Sequence, residues 1–189
     1  MRIKPILFNT AMVEAILNDR KTTTRRLIKI QSYEKADLMY KEGKLKSPYQ
    51  VDDILWVRET WQYLYELNGN KQIIEETGRY YYAATDIIPF DTYIDSNGIN
   101  HQNVPWRPSI HMPKEAARIY LKVKDVYVEH LQDIDDDGII AEGLEIGADF
   151  DELWDSTIKK SNLATYGWKS NPWVWVIEFE KCEKPKEWI

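Results

Sequence analysis

The sequence predicts an α+β fold in which strands dominate and form a β-barrel with flanking helices. Several segments alternate apolar and polar residues, as half-buried strands do. Helical patterns occur early and late in the chain, without the regular β-α alternation of a doubly wound parallel sheet. Hydrophobic residues make up 43% and charged residues 30% of the 189 residues, a balance typical of a globular chain that folds as one domain.

The first elements are predicted from a helix cap and a change of periodicity. Asn9 is a typical helix N-cap, and residues 11–17 place their apolar side chains on one helical face. Residues 18–19 are typical of a helix end, and the β-branched residues within 23–28 predict a strand. A short polar helix is expected over 31–39.

Later elements are predicted mainly from alternating polarity. The longest alternating segment is 117–128, which we expect to be a central strand. The same reasoning predicts further strands over 54–61, 79–84 and 173–179, and apolar spacing predicts helices over 136–141 and 150–159.

Composition excludes several classes of protein. Cys182 is the only cysteine, so neither an intrachain disulfide nor a cysteine-built zinc site can form. The apolar run over residues 1–8 is too short for a signal peptide, and nothing approaches the ~18 consecutive apolar residues of a membrane helix. We therefore expect a cytoplasmic protein with no membrane partner and no cofactor.

The charge distribution favours a small or short partner. A net charge of -6 counts against broad, charge-driven binding of duplexes. Basic residues cluster over 20–29 without an acid among them, whereas acids dominate 133–155. One basic edge on an acidic body suits a nucleoside, a nucleotide or a short single-stranded RNA.

Four segments together resemble the motifs of ASCH domains, a family of the PUA-like superfamily. Residues 15–26 resemble the opening motif, in which a helix leads into an Arg-Lys-Thr turn followed by Thr and Arg. The strand 53–59, the segment 140–144 and the closing strand 175–179 resemble the other three. The resemblance implies a PUA-like β-barrel that binds nucleic acid or a modified nucleoside.

A narrower similarity connects the chain with phage and prophage ASCH-like proteins. It lies in residues 55–61 and 107–113. The family also contains small bacterial 4-acetylcytidine amidohydrolases, which are considerably shorter than this chain. The comparison implies a single ASCH-like domain over 1–189 with insertions near 31–48 and 69–104, which can reshape or cover a pocket.

The resemblance to the amidohydrolases implies three catalytic residues, Lys21, Thr24 and Glu142. A lysine with a lowered pKa can accept the proton of the threonine hydroxyl, whose oxygen then attacks the amide carbonyl of an acylated cytidine. A nearby carboxyl group can protonate the leaving nitrogen. Structural roles also stay open: Lys21 can stabilise a helix C-terminus, Thr24 can be an ordinary strand residue, and Glu142 can cap a turn.

A second set of polar and aromatic residues is expected to bind the substrate. It comprises Arg25, Arg26, Glu59, Trp61, Arg107, Ser109 and His111. In a regular strand Glu59 and Trp61 share one face, and an aromatic face, a guanidinium and a carboxylate can stack a base and bind its edge. The alternative is that Trp61 belongs to the core and Arg107 pairs with Glu59; His111 alone is more often structural than a general base.

Residues 133–140 copy the first eight positions of a calcium-binding EF-hand loop. The twelfth position should be a bidentate Glu, but it is Leu144. We therefore expect no metal site and interpret Asp136 or Asp137 as a helix cap.

Three functions stay open on this basis. The chain can bind a modified nucleoside or short RNA and hydrolyse an acylated cytidine. It can instead be a non-catalytic module that binds RNA or a modified base, or a phage accessory protein that binds a host protein. Fold alone does not decide, because PUA-like folds serve both catalysis and binding.

Overall fold

The computed structural model describes residues 1–29, 39, 42–70, 72–89, 92–94 and 100–186. Its strands are β1 (Ile3–Leu7), β2 (Thr23–Leu27), β3 (Ile54–Arg58), β4 (Trp61–Leu67), β5 (Ile73–Tyr82), β6 (Thr92–Ile94), β7 (Asn100–Gln102), β8 (Tyr120–His130) and β9 (Trp173–Cys182). The α-helices in the described ranges are α1 (Thr10–Leu17), α2 (Asp136–Ala141), α3 (Phe150–Thr157) and α4 (Leu163–Tyr166). The fold is thus mixed α/β with a mainly sheet core. The helix expected over 31–39 lies, except for Met39, outside the described residues.

The first helix begins where its cap predicts. The Met12 N–H donates to Asn9 Oδ1 at 2.8 Å, and α1 ends at Leu17. Asp19, in the turn that follows, has a φ of 58°, in the left-handed region that glycine favours and aspartate tolerates. This conformation turns the chain from α1 toward β2.

Five strands form one sheet in the order β1-β3-β8-β9-β2. β9 pairs antiparallel with β8 along its whole length and with β2 on its other side. β3 and β8 also run antiparallel, because backbone hydrogen bonds join Val57 to Ile119 at one end and Asp53 to Val123 at the other. The strands predicted over 54–61, 117–128 and 173–179 are therefore neighbours, as expected.

The predicted closed barrel needs correction, because this sheet is open. β1 and β2 are its outer strands, and within the described residues they are not paired with each other. The free edge of β2 is covered instead by the end of α2: the Thr22 N–H donates to the Ala141 oxygen at 2.8 Å, and Lys21 forms an isolated bridge with Glu142. An edge covered in this way does not need another strand.

The strand predicted over 54–61 is interrupted after Arg58. The N–H of Glu59 donates to Met112 Sδ rather than to a neighbouring strand, and β4 begins at Trp61. β4 then pairs antiparallel with β5 in a separate two-stranded sheet, and β6 pairs with β7 in another. Glu59 and Trp61 are therefore not two positions on one face of a regular strand.

Contacts divide the chain into two compact units. The first consists of Met1–Lys4, Ala15–Leu55 and Tyr120–Ile189, and the second of Pro5–Glu14 and Trp56–Ile119. The predicted single domain with two insertions stays a prediction, since a division by contacts does not identify insertions.

Each unit has its own apolar core. In the first, α2, α3 and one face of β9 enclose Leu131, Phe150, Trp154, Val174 and Val176. In the second, Trp61, Met112 and Ala116 form a buried apolar cluster, with tyrosines of β4 and β5 packed against them. Among the described residues, no helix has the length and apolar character needed to cross a bilayer.

Candidate active site

The free edge of β2 meets the end of α2 at Glu142. This residue is the C-cap of α2, and its N–H donates to the Gly138 oxygen at 3.0 Å. The Arg25 N–H donates to Glu142 Oε1 at 2.8 Å. A carboxylate oxygen thereby satisfies a buried donor of the edge strand, and such charge-assisted bonds are stronger than neutral ones.

Lys21 forms a buried ion pair with Glu142. Its Nζ donates to the Glu142 carbonyl oxygen at 2.9 Å and to carboxylate Oε2 of the same residue. The Lys21 side chain is 0% exposed and that of Glu142 is 6% exposed. Burial lowers the pKa of Lys21, Glu142 opposes this by raising it, and Arg26 and Arg25 lower it further, so that the net shift is downward. Such a lysine releases its own proton more readily than an exposed one. The neutral amine that results can act as a general base.

Arg25 is held between two carboxylates. Its Nη1 donates to Glu142 Oε1 at 3.3 Å, and its Nε donates to Glu129 Oε1 at 2.6 Å. Glu129 lies on β8, which is separated from β2 by β9. Two strand spacings of ~4.8 Å are within reach of a long arginine side chain that leans over β9. Arg25, which the sequence predicted to bind the substrate, thus binds two carboxylates of its own protein.

Gly143 allows Lys21 to lie close to the end of α2. Gly143 has a φ of +91°, and a Cβ at this position would lie 2.9 Å from Lys21 Cβ and 2.8 Å from Ala15 Cβ. Both the left-handed backbone and the close approach therefore require glycine. The Gly143 oxygen also accepts from Arg20 Nη1 at 2.9 Å.

Thr24 and Arg26 alternate with Arg25 along β2. Side chains of successive strand residues point to opposite faces, so Thr24 and Arg26 lie on the face opposite to Thr23 and Arg25. Thr24 is buried. Lys21 precedes the regular strand, so this alternation does not determine its direction relative to Thr24. The structure therefore brings Lys21, Arg25 and Glu142 together. Thr24 is next to Arg25 in the chain, but its side chain lies on the opposite face of β2.

A cavity of about 310 Å³ opens beside Arg25. Five carboxylates line it together with Arg25: Glu129, Asp133, Asp135, Asp137 and Glu178. So many acidic groups repel phosphates, which makes the cavity unsuited to a nucleic-acid backbone.

The acidic segment before α2 serves as a helix cap. The Gly138 N–H donates to Asp135 Oδ1 at 2.8 Å, so the cap is Asp135 and not, as expected, Asp136 or Asp137. Consecutive aspartates are equally good caps. Which of them is the N-cap depends only on the residue at which the helix begins. In the part of the chain that the structure describes, no group of three or more His, Cys, Asp or Glu residues is arranged to hold a metal ion.

Glu59 forms a bidentate ion pair with Arg118. Arg118 Nε donates to Oε1 at 2.9 Å, and Nη2 donates to Oε2 at 2.8 Å. Glu59 is 1% exposed, so its carboxylate depends on this partner. Arg118 takes the structural role that the sequence suggested for Arg107.

Trp61 is a core residue in this structure. It is 5% exposed, and its ring centroid lies 5.8 Å from that of Tyr80. Arg107 forms a backbone bridge with Trp61, and its guanidinium lies 5.3 Å from the indole centroid. Ser109 and His111 belong to a short 3₁₀ helix, in which His111 is exposed. The geometry favours packing for Trp61, while substrate contacts by Arg107, Ser109 and His111 stay a prediction.

Two solved structures are similar to this chain over most of its length. An ASCH domain from Lactobacillus crispatus JV V101 is 12% identical, with a TM-score of 0.46, and the match covers 95% of this chain and 79% of that one. A protein from Enterococcus faecalis V583 described by the family model DUF984 is 12% identical, with a TM-score of 0.44 and coverage of 96% and 76%. No protein-family model and no curated protein matches the chain. At these TM-scores and identities, the likeness assigns neither an activity nor a ligand.

Proposed function

We propose that this chain is an ASCH-type protein that binds a modified nucleoside and hydrolyses an acylated cytidine. Lys21 is the general base, Thr24 the nucleophile and Glu142 the relay for the proton. One observation carries the proposal: Lys21 Nζ is buried against the Glu142 carboxylate, in surroundings that lower the lysine pKa. The resemblance to the amidohydrolases falls on the same two residues, so motif and geometry support one role.

The proposed reaction has two stages. Once Lys21 has released its own proton, its neutral amine accepts the proton of the Thr24 hydroxyl while Thr24 Oγ forms a bond to the acyl carbon. The C–N bond to the cytosine amino group then breaks, and its nitrogen receives the proton from Lys21 through Glu142. Water finally hydrolyses the acyl-threonine ester, which releases the carboxylic acid and restores Thr24.

The charges favour a nucleoside over a long nucleic acid. Lys21 and Arg25 are bound to carboxylates of the protein, and the cavity beside Arg25 is acidic. Neither feature attracts a chain of phosphates. A substrate with little or no charge suits these surroundings.

The shielding of Lys21 sets a condition on the reaction. Its side chain is closed to a substrate in this conformation, so a nucleoside has to displace the groups packed over Nζ. The same shielding favours a second candidate function, a non-catalytic module that binds a modified base or short RNA without using Lys21 chemically.

The test is acetate release from 4-acetylcytidine by the purified chain without added metal. Lys21→Ala and Thr24→Ala should each lower the rate by ~100-fold or more. Thr22→Ala changes an exposed side chain of the same segment and should leave the rate unchanged.

Calorimetric titration with cytidine, 4-acetylcytidine and a short single-stranded RNA separates the alternatives. Binding without acetate release would contradict the hydrolase and support the binding module. If the chain neither releases acetate nor binds any of these ligands, both functions are contradicted. A protein partner then remains, as for a phage accessory protein.

A further inference from the structure

Arg25 is bound directly to the proposed catalytic carboxylate. It is 7% exposed, with Nε on Glu129 Oε1 at 2.6 Å and Nη1 on Glu142 Oε1 at 3.3 Å. A guanidinium that spans two carboxylates fixes the direction of both, because its donors have a rigid planar geometry.

The two oxygens of Glu142 have different partners. Oε1 accepts from the Arg25 N–H and from Arg25 Nη1, while Oε2 accepts from Lys21 Nζ. The terminal torsion of a glutamate is broad and two-fold. Two donors at one oxygen therefore determine where the second oxygen points. Glu129, which lies on β8, accepts from Nε of the same guanidinium.

We propose that Arg25 and Glu129 are positioning residues that orient the Glu142 carboxylate toward Lys21 and so control proton transfer at Lys21 Nζ. The proposal rests on the proposed function, and it reassigns Arg25 from substrate binding to the support of Glu142. Among the described residues, the charged groups that act on Lys21 include Glu142, Arg26 and Arg25. Moving the Glu142 carboxylate therefore changes the balance of charge at Nζ.

Kinetics of acyl-cytidine hydrolysis distinguish positioning from substrate binding. In Glu129→Ala the guanidinium of Arg25 loses one of its two anchors, so we expect kcat to fall by ~10- to 100-fold with KM unchanged. Glu129→Gln keeps an oxygen that accepts from Nε and should recover part of the loss. Glu178→Gln is the matched control: it removes a carboxylate from the same cavity and should leave kcat unchanged. A higher KM at constant kcat in Glu129→Ala would overturn the proposal.

A second measurement does not need turnover. NMR follows the pH titration of Lys21 through its Cε chemical shift, assigned with Lys21→Arg. Arg25→Met removes a cation and should raise the Lys21 pKa. Glu129→Ala, or Glu129→Gln if the alanine variant does not fold, removes an anion and leaves Arg25 to compete for Glu142, which should lower that pKa. Charge alone predicts these opposite shifts and an equal fall in Glu129→Ala and Glu129→Gln, since both remove the same anion. Positioning predicts a larger fall in Glu129→Ala, because the glutamine keeps an acceptor for Arg25 Nε. That difference would support positioning even in a chain that hydrolyses nothing, whereas equal shifts, or an unchanged Lys21 pKa in folded variants, would overturn it.

Discussion

Lys21 and Glu142 lie 121 residues apart in the chain, and they form both a backbone bridge and a buried ion pair. The same carboxylate also accepts from Arg25. One carboxylate thus binds two cations that burial has separated from water, and Glu129 supplies the second anion, at Arg25. Groups coupled in this way respond together to a change in any one of them.

Replacing Glu142 should destabilise the fold strongly. Glu142→Ala leaves Lys21 and Arg25 buried without their shared partner, so we expect the free energy of unfolding to fall by about 3–5 kcal/mol. Urea denaturation measures this loss. The pair of Lys124 with Glu180, at 3.2 Å and with both side chains 52% exposed, is the control: Glu180→Ala should change stability by about 0–1 kcal/mol. Similar losses for both variants would contradict the importance of burial.

Stability should rise with pH through the ionisation of Lys21. Burial holds the pKa of Lys21 below the ordinary 10.5 in the folded chain, so the unfolded chain binds more protons between the folded-state pKa and 10.5. Within that window, the contribution of Lys21 to the free energy of unfolding increases as pH increases. The measurement is the unfolding free energy of the wild type and of Lys21→Met from neutral pH to 10.5. A wild type that loses stability relative to Lys21→Met across the window would show that the pKa is raised instead.

Two glycines with similar backbone angles should respond differently to alanine. Gly143 and Gly147 have φ values of +91° and +81°, but a Cβ would lie 2.9 Å from Lys21 Cβ at Gly143, whereas nothing lies within 4 Å at Gly147. Gly147→Ala should cost about 1 kcal/mol from backbone strain alone. Gly143→Ala should cost roughly 1–3 kcal/mol more because of overpacking. Thermal unfolding followed by circular dichroism compares them, and equal losses would mean that the contact relaxes freely.

Arg118 should matter more to stability than Arg107. Arg118→Ala removes both donors from the Glu59 carboxylate, which is 1% exposed, so we expect a loss of roughly 3 kcal/mol. Arg107 is exposed, and its bridge to Trp61 uses only backbone atoms; Arg107→Ala should cost less than about 1 kcal/mol. Urea denaturation of both variants tests this order, and the reverse order would show that Glu59 depends on Arg107.

Features that depend on neighbouring residues could be predicted from the sequence. The cap at Asn9 and the strand that follows the turn at Asp19 are local, so capping preference and side-chain pattern are sufficient. The alternating segments that became β8 and β9 also lie where their pattern predicts. Three consecutive aspartates left the cap of α2 ambiguous, and Asp135 was missed.

Features that depend on strand register could not be predicted. Glu129 meets Arg25 only because β8, β9 and β2 pair in one particular alignment, and a shift by one residue would turn either side chain to the opposite face. Arg118 and Glu59 both lie in segments between regular elements, so no periodic spacing predicts that they meet. The open sheet has the same origin, since no local pattern shows that residues 141–142 cover the edge of β2.

The place of β9 between β8 and β2 has a consequence for synthesis on the ribosome. β2 is made early, whereas its partner strand and Glu142 are made late; at about 5–20 residues per second, the 121 residues between Lys21 and Glu142 take roughly 6–24 s to translate. During that interval β2 is an unpaired strand on the nascent chain. Its sequence is Thr-Thr-Arg-Arg-Leu, and such polar, charged strands resist pairing with other exposed edges. We therefore expect the arginines of this strand to disfavour aggregation of the unfinished chain before one of them binds Glu142.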